Sequence, residues 1–271
     1  MDAQLAVIQM VSTESLAENL EEAAKLIQEA ASQGADLVLL PENFAFMGRH
    51  ETDKLALMEA DGEGIIQSWL AAQAHQHGCW LVGGSIPLAA PDGRCFATCL
   101  VFDAQGLRRA RYDKIHLFDV DLADGEMYRE SRSIAPGKTP VQVETPWGMM
   151  GLSICYDLRF PELYRRYAGA EILVVPSAFT RQTGSAHWES LLRARAIENQ
   201  AYVLAADQGG VHQNGRQTFG GSMIIDPWGQ VLARREQGPG WVMAGMDREF
   251  LQRCRKQLPV LQHRQPAYQA I

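Results

Sequence analysis

The sequence lacks a long hydrophobic run, an excess of positive charge and a low-complexity linker. No apolar stretch approaches the roughly 20 residues that a membrane-spanning helix needs, so we expect no membrane association. The 271 residues carry 25 Lys and Arg against 32 Asp and Glu, a net charge of -7. Nonspecific nucleic-acid binding needs a basic face, so we expect no nucleic-acid partner. An acidic residue at position 2, followed directly by a strand-like segment, predicts no signal peptide and hence a cytoplasmic protein.

Cysteine is scarce, and no pattern indicates a metal or cofactor site. The five cysteines are an odd, scattered set in a chain long enough to build its own core: Cys79, Cys95, Cys99, Cys155 and Cys254. We therefore expect no disulfide framework. Neither pair of nearby histidines or cysteines has the spacing of a zinc site, and no glycine pair leads into the Lys-Ser/Thr of a phosphate loop. We expect neither a metal nor a cofactor.

Apolar runs alternate with amphipathic stretches along the chain. Residues 5–10 and 36–40 are apolar runs typical of strands, the second of a strand covered on both faces. Apolar residues recur at helical spacing over 15–33, and a second helix is predicted over Ile65–His77. Because hairpins and strand–helix units continue without a break in composition, we predict one α/β domain over residues 1–271, with helices covering sheets.

Two later segments bear on function. Residues 114–138 show no convincing period, and irregular stretches of this length in a compact domain are usually functional or disordered. Residues 187–199 are predicted to be helical, because their apolar side chains recur on one face.

Three reactive side chains each follow the end of a predicted strand. Glu42 stands in LLPENF, Lys114 in YDKIHLF and Cys155 in GLSICYDLRF. Taken singly, each has an ordinary explanation: a solvated loop acid, a snorkelling lysine and an inert buried cysteine. Asp157 and Arg159 are expected to pair with each other or with neighbours and to hold the turn after the cysteine.

Together the three side chains form a set that can hydrolyse an amide. A partly desolvated carboxylate is predicted to have a raised pKa, which suits Glu42 as a general base. Lys114 offers a fixed positive charge for an oxyanion. Helix-terminal N–H groups near a strand-to-helix turn predict a lowered pKa for the Cys155 thiol, the nucleophile. Separations of 72 and 41 residues mean that only folding can bring the three together.

These motifs resemble those of the nitrilase superfamily of carbon–nitrogen hydrolases. The resemblance implies Glu42 as general base, Lys114 as oxyanion-stabilising cation and Cys155 as nucleophile. It also implies that Glu130 orients Lys114 and the substrate amide, and that the backbone N–H of Tyr156 meets the oxyanion. The implied fold is a four-layer αββα sandwich of two six-stranded sheets between helical layers, usually paired into a homodimer.

The branch of the superfamily can be read from further segments. Tyr-Asp follows the cysteine, as in the amidase branches, where true nitrilases typically carry Trp-Glu. The segments PSAF, TGSAHWE, LRARAIE and LPVLQHR resemble deaminated glutathione amidases, which release α-ketoglutarate and cysteinylglycine. The resemblance therefore implies a small amide substrate of that kind. The alternatives are an ω-amidase acting on α-ketoglutaramate, or another small-amide or carbamoyl hydrolase.

An anionic substrate requires local positive charge in a protein whose net charge is negative. Arg181 and His187 are candidates for that contact, and Phe179 and Thr183 stand in the same motifs. For Arg159 a structural salt bridge is the favoured prediction.

Two other classes of function stay open at this point. In one, Cys155 works with His187 as its base, and Glu42 and Lys114 are structural. In the other, the chain is a catalytically silent scaffold or binding module.

Overall fold

The computed structural model describes residues 2–122 and 127–265. In these ranges the strands are β1 (Ala3–Gln9), β2 (Leu37–Leu39), β3 (Trp80–Val82), β4 (Ile86–Ala89), β5 (Cys95–Phe102), β6 (Arg108–Asp113), β7 (Asp119–Asp121), β8 (Met127–Arg129), β9 (Gln142–Thr145), β10 (Gly148–Leu152), β11 (Ile172–Ser177), β12 (Tyr202–Asp207), β13 (Ser222–Ile225), β14 (Val231–Arg235) and β15 (Gly240–Met246). The α-helices are α1 (Leu16–Ser32), α2 (Ile65–His77), α3 (Pro161–Arg165), α4 (Arg181–Asn199) and α5 (Arg248–Gln257). Short 3-10 helices cover Asp53–Leu57, Glu130–Arg132 and Cys155–Arg159.

The strands form two large sheets and one small ribbon. The first sheet has the order β15-β1-β2-β3-β5-β4, with β6 also paired to β5, and the second has the order β14-β13-β12-β11-β10-β9. In each sheet three neighbouring strands are parallel: β1, β2 and β3 in the first, and β10, β11 and β12 in the second. Strands β7 and β8 form the ribbon.

The two sheets pack face to face with helices outside them. Alternate residues of β1 face opposite sides, because the side-chain period of a strand is two. Leu5 and Val7 share a buried cluster with residues of the second sheet, whereas Ala6 and Ile8 pack with α1 residues such as Leu26. On the far side of the second sheet, α4 buries an apolar stripe formed by Trp188, Leu192 and Ala196. This is the predicted αββα sandwich, with seven strands in the first sheet instead of the expected six.

The helix ends follow local signals. The Ser15 hydroxyl accepts the Glu18 N–H at the start of α1, which is the usual role of serine at this position. Helix α2 ends at Gly78, whose φ of 61° lies in the left-handed region that glycine adopts without strain. The helix predicted over 187–199 begins earlier, at Arg181, where the Thr180 side chain caps the Thr183 N–H.

The irregular stretch after β6 contains more structure than its sequence indicates. The ribbon of β7 and β8 and the 3-10 helix Glu130–Arg132 lie inside the predicted irregular range 114–138. These strands are three residues long, too short for a period to be recognised. Part of that range, residues 123–126, lies outside the described residues. Within the described ranges, no helix has the length and apolar character needed to span a bilayer.

Candidate active site

Glu42 lies just beyond the carboxyl end of β2. Pro41 follows the apolar run and has no N–H to continue the strand ladder, so the chain turns there. The Glu42 side chain is only 3% exposed, and both of its carboxylate oxygens have partners. Oε1 accepts the Lys114 ammonium at 2.8 Å, and Oε2 accepts the backbone N–H of Ala178 at 2.9 Å. The alternative of a solvated loop acid is therefore wrong.

Lys114 follows directly after β6, and its ammonium lies between two carboxylates. Its Nζ is 2.8 Å from Glu42 Oε1, and 2.8 and 2.9 Å from the two oxygens of Glu130. Glu130 is itself oriented by the backbone N–H of Phe118, which donates to Oε2 at 2.6 Å. Lys114 is only 1% exposed, so it does not snorkel. Its charge is held at one fixed point inside the protein.

Cys155 occupies a strained turn between β10 and the 3-10 helix that it begins. Its φ of 49° lies in the left-handed region, which non-glycine residues rarely adopt. Asp157, fully buried, holds this turn: Oδ2 accepts the Tyr112 hydroxyl at 2.6 Å and the Ile154 N–H at 2.9 Å. Oδ1 accepts the backbone N–H of His116 at 3.0 Å and contacts its Nδ1 at 2.7 Å. The turn is thereby fixed to the segment that carries Lys114.

The charges of the cluster decide the protonation of Glu42 and Cys155. Burial lowers the pKa of Lys114, but the charges of Glu130 and Glu42 outweigh it, and that pKa lies well above its usual value. Burial raises the pKa of Glu42, but the charge and hydrogen bond of Lys114, with a hydrogen bond from the Cys155 thiol, bring it below its usual value.

The thiol shifts in the opposite direction from Glu42. Burial and the negative charge of Glu42 raise the pKa of Cys155 well above its usual value, and the charge of Lys114 offsets this only in part. Both predicted directions, a raised pKa for Glu42 and a lowered one for Cys155, are therefore wrong. At neutral pH the cluster holds an ionised Glu42 next to a protonated thiol.

A pocket lined by Glu42, Lys114 and Cys155 opens onto this cluster. Of the candidate substrate-binding residues, Phe179 and Thr183 line the pocket, whereas Arg181 and His187 do not. The full lining is Glu42, Asn43, Glu51, Lys54, Lys114, Phe118, Tyr128, Glu130, Cys155, Tyr156, Arg159, Ala178, Phe179, Thr180, Thr183 and Arg216.

The remaining candidates lie at the outer side of α4. Arg181 is exposed and donates to the side chain of Gln217 at 3.1 Å. His187 is exposed, and its Nδ1 lies 3.2 Å from a guanidinium nitrogen of Arg159. Substrate contacts of Arg181 and His187 therefore lack support from the geometry.

Arg159 differs from its prediction. In the described ranges it forms no ion pair with a carboxylate, and Asp157 takes other partners. Its guanidinium instead lies over the rings of Phe179 and Tyr156, 5.2 and 5.9 Å from their centroids. Cations are attracted to aromatic faces, so these rings hold the guanidinium at the pocket wall. Arg159 lines the pocket as an available positive charge.

Several pocket residues were not found from the sequence. Lys54 and Glu51 belong to the region of the 3-10 helix Asp53–Leu57, and Arg216 to a turn in which the His212 N–H donates to the Arg216 carbonyl. Such polar segments carry no periodic signal. Only the contacts made on folding bring them to the pocket.

Asp207 at the end of β12 was also missed, and it supports the pocket wall. Its carboxylate accepts the backbone N–H of Phe179 at 2.8 Å and that of Gly220 at 3.0 Å. Burial raises its pKa well above the usual value. Asp207 thereby fixes the segment whose Ala178 N–H binds Glu42. Among residues 2–122 and 127–265, no group of His, Cys, Asp or Glu side chains has the arrangement of a metal site.

Comparison with known proteins gives a consistent result. The family model described as carbon-nitrogen hydrolase matches residues 4–256. The chain is 45% identical over 265 residues to a deaminated glutathione amidase of Synechocystis sp., covering 96% of this chain and 97% of that protein. It is 44% identical to the deaminated glutathione amidase of Mus musculus, with 97% of this chain and 83% of that protein covered.

A solved structure shares the fold. The crystal structure of the C. elegans NitFhit protein superposes with a TM-score of 0.89 at 40% sequence identity over 97% of this chain. The chain spans 65% of that longer protein. With a family match over nearly its whole length, full-length relatives and the same fold, this chain belongs to the carbon-nitrogen hydrolase family.

Proposed function

We propose that this protein is an amidase that cleaves a linear amide through a cysteine thioester, with Glu42, Lys114 and Cys155 as its catalytic residues. One observation carries the proposal: the buried Lys114 ammonium lies 2.8 Å from Glu42 and 2.8 Å from Glu130, and Cys155 lines the same pocket as these three side chains. A carboxylate base, a fixed cation and a thiol that meet at one pocket are the arrangement that acyl transfer requires.

The first half of the reaction forms the thioester. A Glu42 oxygen takes the proton of the thiol as Sγ attacks the amide carbon, and the carbonyl electrons move to oxygen. Lys114 Nζ and the Tyr156 N–H stabilise that oxyanion. When it collapses, the C–N bond breaks and Glu42 returns the proton to the departing nitrogen.

The second half releases the acid. Glu42 takes a proton from water, whose oxygen attacks the thioester carbon, and the C–S bond breaks after a second oxyanion. Glu42 gives the proton taken from water to the departing sulfur, and the carboxylic acid leaves. The raised pKa of Cys155 fits this scheme, because the proton has to move to Glu42 during the attack.

Glu130 acts in this scheme as a positioning residue. Both of its oxygens hold the ammonium of Lys114, and the Phe118 N–H fixes one of them. It keeps the charge aimed at the carbonyl oxygen and borders the pocket, where it can accept the N–H of a substrate amide.

We propose deaminated glutathione as the substrate, cleaved to α-ketoglutarate and cysteinylglycine in metabolite repair. The names and high coverage of the similar proteins support this choice. The keto-acid end carries a carboxylate, and Arg159 is a pocket cation without a carboxylate partner among the described residues. We assign the keto-acid carboxylate to Arg159, with Phe179 and Thr183 shaping that end of the pocket. Arg181 and His187 are no longer favoured.

The test compares α-ketoglutarate release from deaminated glutathione and from α-ketoglutaramate, with Cys155→Ala as the blank. A strong preference for deaminated glutathione supports the proposal, and a preference for α-ketoglutaramate makes the protein an ω-amidase. If neither is hydrolysed while a thiol probe still labels Cys155 rapidly, the substrate is wrong. Labelling of Cys155 no faster than the other cysteines, without turnover, supports a silent scaffold.

We further propose a cytoplasmic homodimer built from one domain. An exposed apolar patch supports dimer formation: Ile197 of α4 is 48% exposed, and Trp228, in the turn packed beside it, is 57% exposed. The free cysteines, including the proposed nucleophile, fit a reducing compartment. Sedimentation velocity on wild type and Trp228→Glu tests the dimer, because a charge in an apolar interface should shift the protein to monomer. Fractionation of cells tests the location.

A further inference from the structure

Arg216 lies where the catalytic pocket continues toward solvent. It lines the pocket that contains Cys155 and also an adjoining, wider pocket of about 400 Å³. Asn43, the residue after Glu42, lines both as well. Arg159, assigned to the keto-acid end, lines the first pocket but not the second.

The hydrogen-bonding capacity of Arg216 is only partly used. One Nη donates to the Ala178 carbonyl at 2.8 Å, and the other lies 4.0 Å from Glu51, beyond hydrogen-bond distance. The guanidinium stands over the ring of Tyr128, 5.3 Å from its centroid. Its buried Nε has no hydrogen-bond partner in the part of the chain that the structure describes. A guanidinium so placed keeps donors for an anionic ligand.

The neighbouring charges leave this position positive. Glu51 is the one acidic side chain within ion-pair distance of Arg216 in the described ranges, and it also binds Lys54 at 3.3 Å. Arg216, Lys54 and Glu51 all face both pockets, and two cations and one carboxylate give a charge of +1. The sum is unchanged when the other charged residues of the catalytic pocket are counted, because the cations Lys114 and Arg159 balance the carboxylates Glu42 and Glu130. The position therefore favours a carboxylate over a neutral or cationic group.

Glu42 identifies which half of the substrate reaches this position. In the proposed mechanism Glu42 protonates the departing nitrogen, so the leaving group lies on the Glu42 side of the amide. Arg216 is on that side: it holds the carbonyl of Ala178, whose N–H binds Glu42. Its charge also lowers the pKa of Glu42. The wider pocket provides the room that a dipeptide leaving group needs.

We infer that Arg216 is a specificity-determining residue that binds the terminal carboxylate of the leaving group, with Lys54 as the supporting cation. The inference rests on the proposed function and extends it. Arg159 recognises the acyl half that every α-ketoglutaryl amide shares, whereas Arg216 recognises the half that distinguishes a peptide amide from a simple one.

The experiment uses two substrates with the same acyl half. Deaminated glutathione releases cysteinylglycine, and α-ketoglutaramate releases ammonia. A charge-assisted hydrogen bond is worth about 1.5–3 kcal/mol. We therefore expect Arg216→Gln to raise KM for deaminated glutathione at least about tenfold more than it raises KM for α-ketoglutaramate. Because Arg216 also lowers the pKa of Glu42, any change in kcat should be the same for the two substrates.

A modified substrate separates recognition from structural support. In this substrate the terminal carboxylate of deaminated glutathione is replaced by a carboxamide. Its KM with the wild-type enzyme should be as high as the KM of unmodified deaminated glutathione with Arg216→Gln. For Arg216→Gln itself, the replacement should raise KM no further. Arg216→Lys should recover part of the binding. Arg109→Gln, which removes an exposed arginine of β6 outside both pockets, is the matched control for lost charge.

Equal losses on both substrates would overturn the inference, since they would mean that Arg216 only supports the Ala178 segment. An unchanged KM for deaminated glutathione would overturn it too. If wild type hydrolyses neither substrate, the proposed function fails and the inference falls with it. That outcome is distinguishable, because the other two require an active wild type.

Discussion

The buried cluster of Glu42, Lys114 and Glu130 differs from the rim of the pocket, by which we mean Arg159 and Arg216, in how completely the charges are paired. In the cluster, Glu42 and Glu130 use both carboxylate oxygens at 2.6–2.9 Å. At the rim, counting partners within 2–122 and 127–265, Arg159 has one hydrogen bond, of 3.2 Å to His187, and Arg216 has one to a backbone carbonyl. The charges of the cluster are paired before a substrate binds, whereas the cations of the rim gain partners when an anionic substrate binds.

This difference indicates a division of work. Preorganised charges stabilise a transition state because they need no rearrangement when charge develops. Under-used cations gain partners only when an anionic substrate arrives, so they decide which substrate binds. Changes in the cluster should therefore lower kcat, and changes at the rim should raise KM.

The largest effect is expected for Lys114→Ala. Loss of one positioned oxyanion donor costs roughly 3 kcal/mol, so turnover should fall at least about 100-fold. The variant also leaves Glu42 and Glu130 buried without a cation, which costs roughly 3–5 kcal/mol of stability. Initial rates and thermal midpoints measure both, with Arg109→Gln as control. A folded variant with near-wild-type turnover would remove Lys114 from the mechanism.

Glu42→Gln is the second test, and its effect on pH dependence is specific. Loss of a general base should lower kcat by about 10²–10⁴. The negative charge of Glu42 helps to raise the pKa of Cys155 and Lys114 lowers it. Removing that charge should therefore lower the thiol pKa. Absorbance of the thiolate near 240 nm, titrated against Cys155→Ala, should appear at lower pH in the variant. If the thiolate of Cys155 appears at the same pH in Glu42→Gln as in wild type, the charge of Glu42 does not act on the thiol.

A smaller effect is expected at the rim, for Arg159→Gln. If Arg159 binds the keto-acid carboxylate, KM should rise about tenfold or more for deaminated glutathione and α-ketoglutaramate alike. Steady-state kinetics on both substrates distinguish this from Arg216→Gln, which should raise KM for deaminated glutathione more than KM for α-ketoglutaramate. A lower kcat with an unchanged KM would mean that Arg159 acts in catalysis, as the cluster does, and would contradict the proposed division between catalysis in the cluster and binding at the rim.

The smallest effect is expected for His187→Ala. His187 is exposed, does not line the pocket, and contacts a guanidinium nitrogen of Arg159. Kinetic constants should change by about twofold or less, as for most surface substitutions. Inactivation by this change, with Glu42→Gln tolerated, would revive the cysteine–histidine mechanism.

Much of the architecture was predictable because its signals are local. The apolar runs that became β1 and β2 and the helical spacing over 15–33 each depend on a few neighbouring residues. The start of α4 was missed because two residues of its first turn, Thr183 and Gly184, have low helix propensity. The ribbon of β7 and β8 was missed because its strands are too short to show a period.

By itself, the sequence determined an α/β domain with helices covering sheets and three reactive side chains at strand ends, since strand endings and reactive residues are written in consecutive positions. The four-layer sandwich was implied only by the resemblance to a known family. Only the tertiary structure decided the protonation of those groups and the composition of the rim. Burial and the negative charge of Glu42, distant in sequence, raise the pKa of the Cys155 thiol well above its usual value. Arg216 and Arg159 became pocket cations through packing and pairing across segments. Electrostatic shifts depend on distance and burial, and neither exists before the chain has folded.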